Sequence, residues 1–172
     1  MTAREHDLEV LHTAMQIERD AHAFYSVAAA QTKDSAAVRM FLSLARAEME
    51  HLGKLETAYC ALTKQDKWPS AQPASSSRIL AVSPPSEKPL AAATPDAREL
   101  DALQRGMRAE RDAIAFYEGA LEQATDPEAR VLYEYLIGEE KGHLAILSAE
   151  HDYLTQTGFW FSYQGFQVAA RD

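Results

Sequence analysis

Two glutamate–histidine pairs with three-residue spacing are the residues of this chain best suited to chemistry. They are Glu48 with His51 and Glu140 with His143. Residues three apart on a helix are neighbours, so both side chains of a pair can reach one metal centre. Carboxylate oxygens with imidazole nitrogens suit iron or manganese, and the lack of thiolate ligands disfavours structural zinc. One such pair is a weak signal, whereas two in one chain indicate a site for two metal ions.

A further glutamate lies thirty residues before each pair, at the start of two nearly identical strings. Residues 18–31 and 110–123 agree at nine of fourteen positions, which indicates a duplicated helical hairpin. The glutamates of the pairs can bridge two ions, each histidine can bind one ion, and the upstream glutamates complete the set as terminal ligands. Asp20 and Asp112 are also repeated, and we interpret them as ion-paired with nearby arginines. The predicted ligands are Glu18, Glu48, His51, Glu110, Glu140 and His143.

Four amphipathic helices must position these ligands. Apolar side chains recur at spacings of three and four residues and predict helices near 3–30, 35–64, 95–123 and 127–156. Start signals support them: a capping box at Thr2, an N-cap at Asp34, and a proline directly after Thr94 and after Asp126. The ligand glutamates fall on the apolar stripes, where an unpaired carboxylate is costly. The sequence therefore predicts an all-α four-helix bundle whose core contains a charged site.

A segment of different composition separates the two predicted hairpins, 3–64 and 95–156. Six of the seven prolines lie between residues 66 and 95, which predicts a long crossover rather than a further helix pair. Its length allows the second hairpin to pack on the first in the same chain or on that of a partner, and the sequence leaves both open. The aromatic tail, residues 157–172, is expected to pack on the bundle or on a neighbouring subunit.

Composition limits the expected partners and location. The net charge is −9 and no cluster of Lys and Arg stands out, so neither nucleic acid nor an anionic membrane is expected as a partner. The N-terminus lacks the apolar region of a signal peptide, and no run reaches the length of a membrane span. We therefore expect one cytoplasmic domain over residues 1–172. The lone Cys60 is interpreted as a small core residue.

Three side chains near the ligands are candidates for supporting roles. Tyr25 and Tyr117 lie two turns after the upstream glutamates, where a hydrogen bond to a ligand carboxylate and plain core packing fit about equally well. His22 lies one turn after the first upstream glutamate. A core histidine with a satisfied hydrogen bond fits it better than a proton relay or an extra ligand. Glu50 and Glu139 neighbour the pairs without being repeated, and we interpret them as surface charges.

On these residues the chain resembles the ferritin-like superfamily, specifically the di-iron domain of the rubrerythrins and their relatives. The resemblance covers residues 3–156 and includes all six expected ligand positions. It implies a four-helix bundle holding two iron ions that react with peroxide or dioxygen. Rubrerythrins usually also carry a rubredoxin-like iron module with four cysteine ligands. This chain lacks it, so electrons are expected from a separate donor protein.

A second departure concerns an additional glutamate that rubrerythrins carry three residues after the ligand of the third helix. That glutamate is implicated in the ligand exchange that accompanies iron redox change. Here the position is Ala113, matched by Ala21 in the first helix. A symmetric, bacterioferritin-like centre is therefore closer to this sequence. In such a centre, His51→Ala and His143→Ala should cost similar metal affinity at one site each, whereas removing a bridging glutamate should weaken both sites.

Three functions remain compatible with these features. The first is an oxidoreductase of oxidative-stress type that oxidises a diferrous centre with hydrogen peroxide or dioxygen. The second is a ferroxidase that stores iron or passes it on, which the symmetric site favours slightly. The third is a non-catalytic, metal-stabilised bundle that binds a partner through residues 159–172. A homodimer or a larger homo-oligomer is expected, and storage would require a closed shell of many subunits.

Overall fold

Four helices make up the fold in the computed structural model of the chain, which describes residues 2–70 and 96–157. They are α1 (Ala3–Gln31), α2 (Ser35–Gln65), α3 (Ala97–Gln123) and α4 (Pro127–Thr157). The predicted all-α fold is confirmed, and the helix bounds agree with the sequence pattern to within about two residues. Most of the predicted crossover and nearly all of the aromatic tail lie outside the described residues. Within the described residues, none of the four helices is both long and apolar enough to cross a membrane.

The starts of the helices follow from local hydrogen bonds. Thr2 and Glu5 form the predicted capping box at α1, and the Asp34 side chain accepts two backbone hydrogen bonds at the start of α2. At α3 the predicted N-cap is wrong by two residues, because Asp96 rather than Thr94 is the cap and accepts from the Arg98 amide. The sequence Thr-Pro-Asp offered two capping side chains, and the aspartate is the stronger acceptor near a helix start.

The buried apolar residues form two clusters, one on each side of the polar centre. One cluster combines the first halves of α1 and α4 with the second halves of α2 and α3, and includes Leu11 and Tyr117. The other combines the second halves of α1 and α4 with the first halves of α2 and α3, and includes Tyr25 and Leu103. The glutamates of the site fall between the two clusters along each helix. The predicted polar interruption of the apolar stripes is therefore also the middle of the core.

The two hairpins pack on each other within this single chain. Helix contacts are dense inside each hairpin, between α1 and α2 and between α3 and α4, and sparser between α1 and α3. Two hydrogen bonds nevertheless join α1 to α3 in the core, from Tyr25 to Glu110 and from Tyr117 to Glu18. Of the two arrangements that the sequence left open, the structure has the one closed within the chain.

The end of α2 differs from the sequence interpretation. Cys60 was expected in the core and is exposed, so that interpretation is wrong. Trp68 lies inside the predicted crossover but is buried, with its indole N–H 3.4 Å from an Asp7 carboxylate oxygen and its ring edge-on to Tyr133. The chain turns toward this contact at Asp66, which has a left-handed backbone with φ of 54°. The large apolar surface of the indole explains why a polar segment returns to the bundle here.

Candidate metal centre

All six predicted ligand side chains converge in the middle of the bundle, and all are buried. Their donor atoms form two groups, and within each group they lie within 4.8 Å of one another. One group comes from Glu18, Glu48, His51 and Glu140, and the other from Glu48, Glu110, Glu140 and His143. Because Glu48 and Glu140 belong to both groups, the structure places these two carboxylates between the two histidines.

Each of the two shared carboxylates offers one oxygen to each histidine. His51 Nδ1 lies 3.1 Å from Glu48 Oε2 and 3.1 Å from Glu140 Oε1. His143 Nδ1 lies 3.0 Å from the other Glu48 oxygen and 2.9 Å from the other Glu140 oxygen. The two imidazole rings are stacked with their centroids 5.5 Å apart. This division of oxygens is the arrangement that a pair of bridging carboxylates requires.

The two remaining glutamates lie at opposite ends of the cluster, and a tyrosine of the other hairpin holds each one. Glu18 Oε2 lies 3.6 Å from His51 Nδ1, and Glu110 Oε1 lies 3.8 Å from His143 Nδ1. The Tyr117 hydroxyl donates to Glu18, and the Tyr25 hydroxyl donates to Glu110. Both tyrosines are fully buried. They therefore combine the two roles that the sequence left open, and their hydrogen bonds cross from one hairpin to the other.

Burial and neighbouring charge divide the carboxyl groups of the site into two classes. Burial raises the pKa of Glu18 to about 8 and raises the pKa of Glu110 well above its ordinary value. Burial also favours the neutral form of the shared pair, but the two histidines outweigh it and lower the pKa of both Glu48 and Glu140. The terminal pair therefore holds protons more strongly than the bridging pair does.

The pKa of each histidine shifts in the opposite direction to the pKa of the shared carboxylates. Burial alone would lower their pKa, but the surrounding carboxylates outweigh it and raise the pKa of His51 and His143 well above its ordinary value. In the absence of metal, protons therefore occupy the imidazoles beside two ionised carboxylates. A metal ion that binds to the imidazole nitrogen must displace such a proton.

The donor atoms fit a pair of metal ions. Glu48 Oε1, both oxygens of Glu140 and His143 Nδ1 are buried, and their contacts with the imidazole nitrogens, although short, do not have the geometry of hydrogen bonds. Buried polar atoms normally have a hydrogen-bond partner, so unpaired atoms in one cluster need an explanation. Carboxylates with one imidazole per group suit iron or manganese, and two such ions would satisfy these atoms.

The interpretation of Glu139 as a surface charge is wrong. Its side chain is buried, and a carboxylate oxygen lies 3.8 Å from Nε2 of His51, the ring nitrogen that faces away from the cluster. A signal for this position was present in the sequence. Glu139 lies three residues after Leu136 and four before His143, which places it on the buried face of α4.

The remaining polar residues near the site belong to neither donor group. Glu50 is exposed, as the sequence interpretation expected. His22 belongs to neither donor group, and its Nδ1 donates to the carbonyl oxygen of Ala45 at 2.8 Å. Glu150 on α4 is a further buried carboxylate that the sequence analysis did not identify, and it also lies outside both donor groups.

An opening between α1 and α3 leads to the cluster. It is a cavity of about 350 Å³ whose lining includes all four glutamates of the site. Its walls include Ala21 and Ala113, the two positions where the sequence lacks an additional carboxylate. The small side chains leave this side of the cluster open.

Comparison with known proteins agrees with the fold. The family described as rubrerythrin matches residues 9–151. Among solved structures, a hypothetical protein from Pyrococcus furiosus is similar, with 26% sequence identity and a TM-score of 0.65. The match covers 87% of this chain and 90% of that one. None of the curated proteins matches the chain.

Proposed function

The chain belongs to the rubrerythrin family, and from this premise we propose that it is a non-haem di-iron oxidoreductase. Its substrate would be hydrogen peroxide or dioxygen. One observation carries the proposal: Glu48 and Glu140 each present one oxygen to each of two histidines. Two ferrous ions bound there would supply the two electrons that reduce the oxidant.

The residues of the chain have distinct roles in this proposal. Glu48 and Glu140 would bridge the ions, and His51 and His143 would each bind one of them through Nδ1. Glu18 and Glu110 would be the terminal ligands, and buried tyrosine hydroxyls hold them in place. Such hydrogen bonds fix the orientation of a ligand carboxylate and tune its basicity. The apolar clusters close the centre to bulk water along the length of the bundle, on either side of the opening between α1 and α3.

The electrons must then return to the centre from another molecule. The chain contains a single cysteine, too few for a four-cysteine iron module. We therefore include a separate electron-donor protein in the proposal. A homodimer or larger homo-oligomer and a cytoplasmic location complete it.

Rapid mixing of the diferrous protein with each oxidant tests the proposal. We expect ferric absorbance to develop with one peroxide consumed per two irons. Glu140→Ala is the matched variant, because it removes a bridging ligand and leaves the rest of α4 unchanged. If neither peroxide nor dioxygen oxidises a protein that holds two ferrous ions per chain, the proposal is wrong.

A ferroxidase is the second candidate, and the alanines of the opening favour it. Ala21 and Ala113 stand where an additional carboxylate would allow ligand exchange, so neither terminal ligand has an alternative on its own helix. A fixed, symmetric ligand set suits repeated oxidation and release of ferric iron. Size-exclusion chromatography with iron analysis separates the candidates. A small oligomer that retains no more than two irons per chain rules out storage by this chain alone.

A further inference from the structure

The cavity between α1 and α3 connects the protein surface with the buried centre. Asp20 and Asp112 line it and are exposed, whereas Glu48 and Glu140 line it and are buried. The cavity therefore extends from solvent to the two shared carboxylates. Ala21, Ala109 and Ala113 contribute to its walls, so no large side chain from these positions blocks it.

Every titratable side chain among the described residues that line this cavity is acidic. The lining contains six carboxylates and no Lys, Arg or His. Arg19, next to Glu18 in sequence, pairs with Glu56 at 2.9 Å. Arg105 lies 3.9 Å from Asp101 and also over the ring of Phe24, a lining residue, at 5.3 Å from the ring centroid. The exposed carboxylates of Asp20 and Asp112 therefore give the mouth of the cavity a negative potential, which low-dielectric walls concentrate.

The two aspartates at its mouth do not have the structural role that the sequence suggested. Within residues 2–70 and 96–157, neither Asp20 nor Asp112 forms an ion pair, and Asp20 accepts only a hydrogen bond from Gln16 at 2.9 Å. Both follow a terminal glutamate by two residues, so the duplication places one on each side of the opening. The inner end of the cavity supplies a second observation, since Glu48 Oε1 and both Glu140 oxygens lie there without a hydrogen bond.

We propose that this cavity is the entry path for ferrous ions and that Asp20 and Asp112 give it a preference for a divalent cation. The inference rests on the proposed function only for the identity of the metal. Attraction between exposed carboxylates and a doubly charged ion accelerates encounter, and salt screens it. Hydrogen peroxide and dioxygen are neutral, so the same carboxylates give them no advantage.

Stopped-flow binding of Co²⁺ to the metal-free, full-length chain tests the inference, because Co²⁺ is a divalent cation that does not react with oxygen under these conditions. The test variant is Asp20→Asn with Asp112→Asn. The control is Glu9→Gln with Glu134→Gln, which makes the same change in net charge at exposed positions away from the cavity. At low ionic strength we expect the second-order rate constant to fall roughly three- to thirty-fold in the test variant and less than about two-fold in the control.

Three further measurements test the proposed entry path. The difference between the variants should shrink severalfold at about 0.5 M salt, where screening acts over only a few ångströms. Both variants should still bind two Co²⁺ per chain, and peroxide should oxidise both diferrous variants at the wild-type rate. Equal rates in test and control, a difference that salt does not reduce, or a stoichiometry below two in the test variant would overturn the inference. Failure of peroxide and dioxygen to oxidise any diferrous form would contradict the proposed function and leave the Co²⁺ entry result standing.

Discussion

At the scale of single residues, His51 and His143 are equivalent in the repeat but differ in their surroundings. Glu139 lies beside Nε2 of His51, whereas the corresponding position in the first hairpin is Ala47. The two atoms are 3.8 Å apart and form no hydrogen bond, but a carboxylate this close favours a proton on Nε2 and so leaves Nδ1 to the metal ion. The equal contribution of the two histidines expected from the sequence stays a prediction, and Glu139 supports the opposing expectation of a tighter site at His51.

Glu139→Ala should weaken metal binding at one of the two sites. We expect a loss of about 10- to 100-fold in affinity for the ion near His51, which is typical when such a partner is removed. Anaerobic titration of the metal-free protein, fitted to two binding steps, measures it. Glu134→Ala on an exposed turn of α4 is the control. Equal weakening of both steps, or no change in either, would show that the two sites are equivalent.

The ligands and Glu139 also show how far single residues could be predicted. Each of the six ligands occurs in a repeated pattern and interrupts an apolar stripe, so two independent signals point to it. Glu139 occurs once, and its interaction partner lies on another helix. Spacing along α4 places it on the buried face, but only the packing of α2 against α4 brings it to His51. The spacing of apolar residues along one helix does not indicate which residues of another helix it contacts.

At the level of the helices, the bounds of each helix were predictable from the sequence, and the distances between the helices were not. Caps and apolar periods fix where each helix begins and ends, because both act within a turn or two. The distance between hairpins depends on which small residues meet. A Cβ at Gly106 of α3 would lie 3.2 Å from Leu147 Cδ1 and 3.3 Å from the hydroxyl oxygen of Tyr25. Glycine at this point lets Tyr25 of α1 reach Glu110.

Gly106→Ala should therefore destabilise the bundle in spite of a better helix propensity. The propensity gain of about 1 kcal/mol is opposed by an overpacking cost of about 1–3 kcal/mol, since Leu147 and Tyr25 are fully buried and have no space to move. We expect a net loss of about 1 kcal/mol in the free energy of unfolding, measured with urea on the metal-free protein. Gly119→Ala on the same helix is the control, because nothing lies within 4 Å of its Cβ position. If both variants gain stability equally, the close approach at Gly106 does not constrain the fold.

At the scale of the whole molecule, metal binding and protonation compete for the same atoms. Burial raises the pKa of Glu18 from 4.5 to about 8, so its stabilising contribution is complete below pH 4.5 and is lost as the pH rises to about 8. The pKa of His51 and of His143 is raised well above 6.5, so their contribution is complete below pH 6.5 and is lost as the pH rises through the raised pKa. Glu48 and Glu140 have a lowered pKa, and their contribution is lost only in acid.

The metal-free protein should accordingly lose stability between pH 5 and pH 8, whereas the metal-loaded protein should not. A bound metal ion replaces the protons of the site. Because the ion binds only the folded protein, it raises the free energy of unfolding. Differential scanning calorimetry of both forms across this window measures the effect as a gap in Tm that widens with pH. A metal-free protein whose Tm rises from pH 5 to pH 8 would contradict the assigned protonation. Surface charges shift both forms alike, so the gap is the informative quantity.

The closure of the bundle within one chain is a property that the sequence left undecided. A crossover of about thirty residues can span either arrangement, so its length did not select one. The duplicated hairpin predicted the fold and the convergence of the six candidate ligands, because each hairpin brings its glutamate and its glutamate–histidine pair to the same height. The path between the hairpins and the subunit assembly depend on contacts far apart in sequence.

Mössbauer spectroscopy with iron analysis shows whether two metal ions share Glu48 and Glu140. The metal-free chain would be loaded anaerobically with ferrous ⁵⁷Fe, oxidised with peroxide, and compared with Glu48→Ala. We expect two irons per wild-type chain whose ferric spins couple antiferromagnetically through the shared ligands, and weakened binding at both sites in the variant. One iron per chain, two uncoupled ferric ions, or a variant that retains two coupled irons would contradict it.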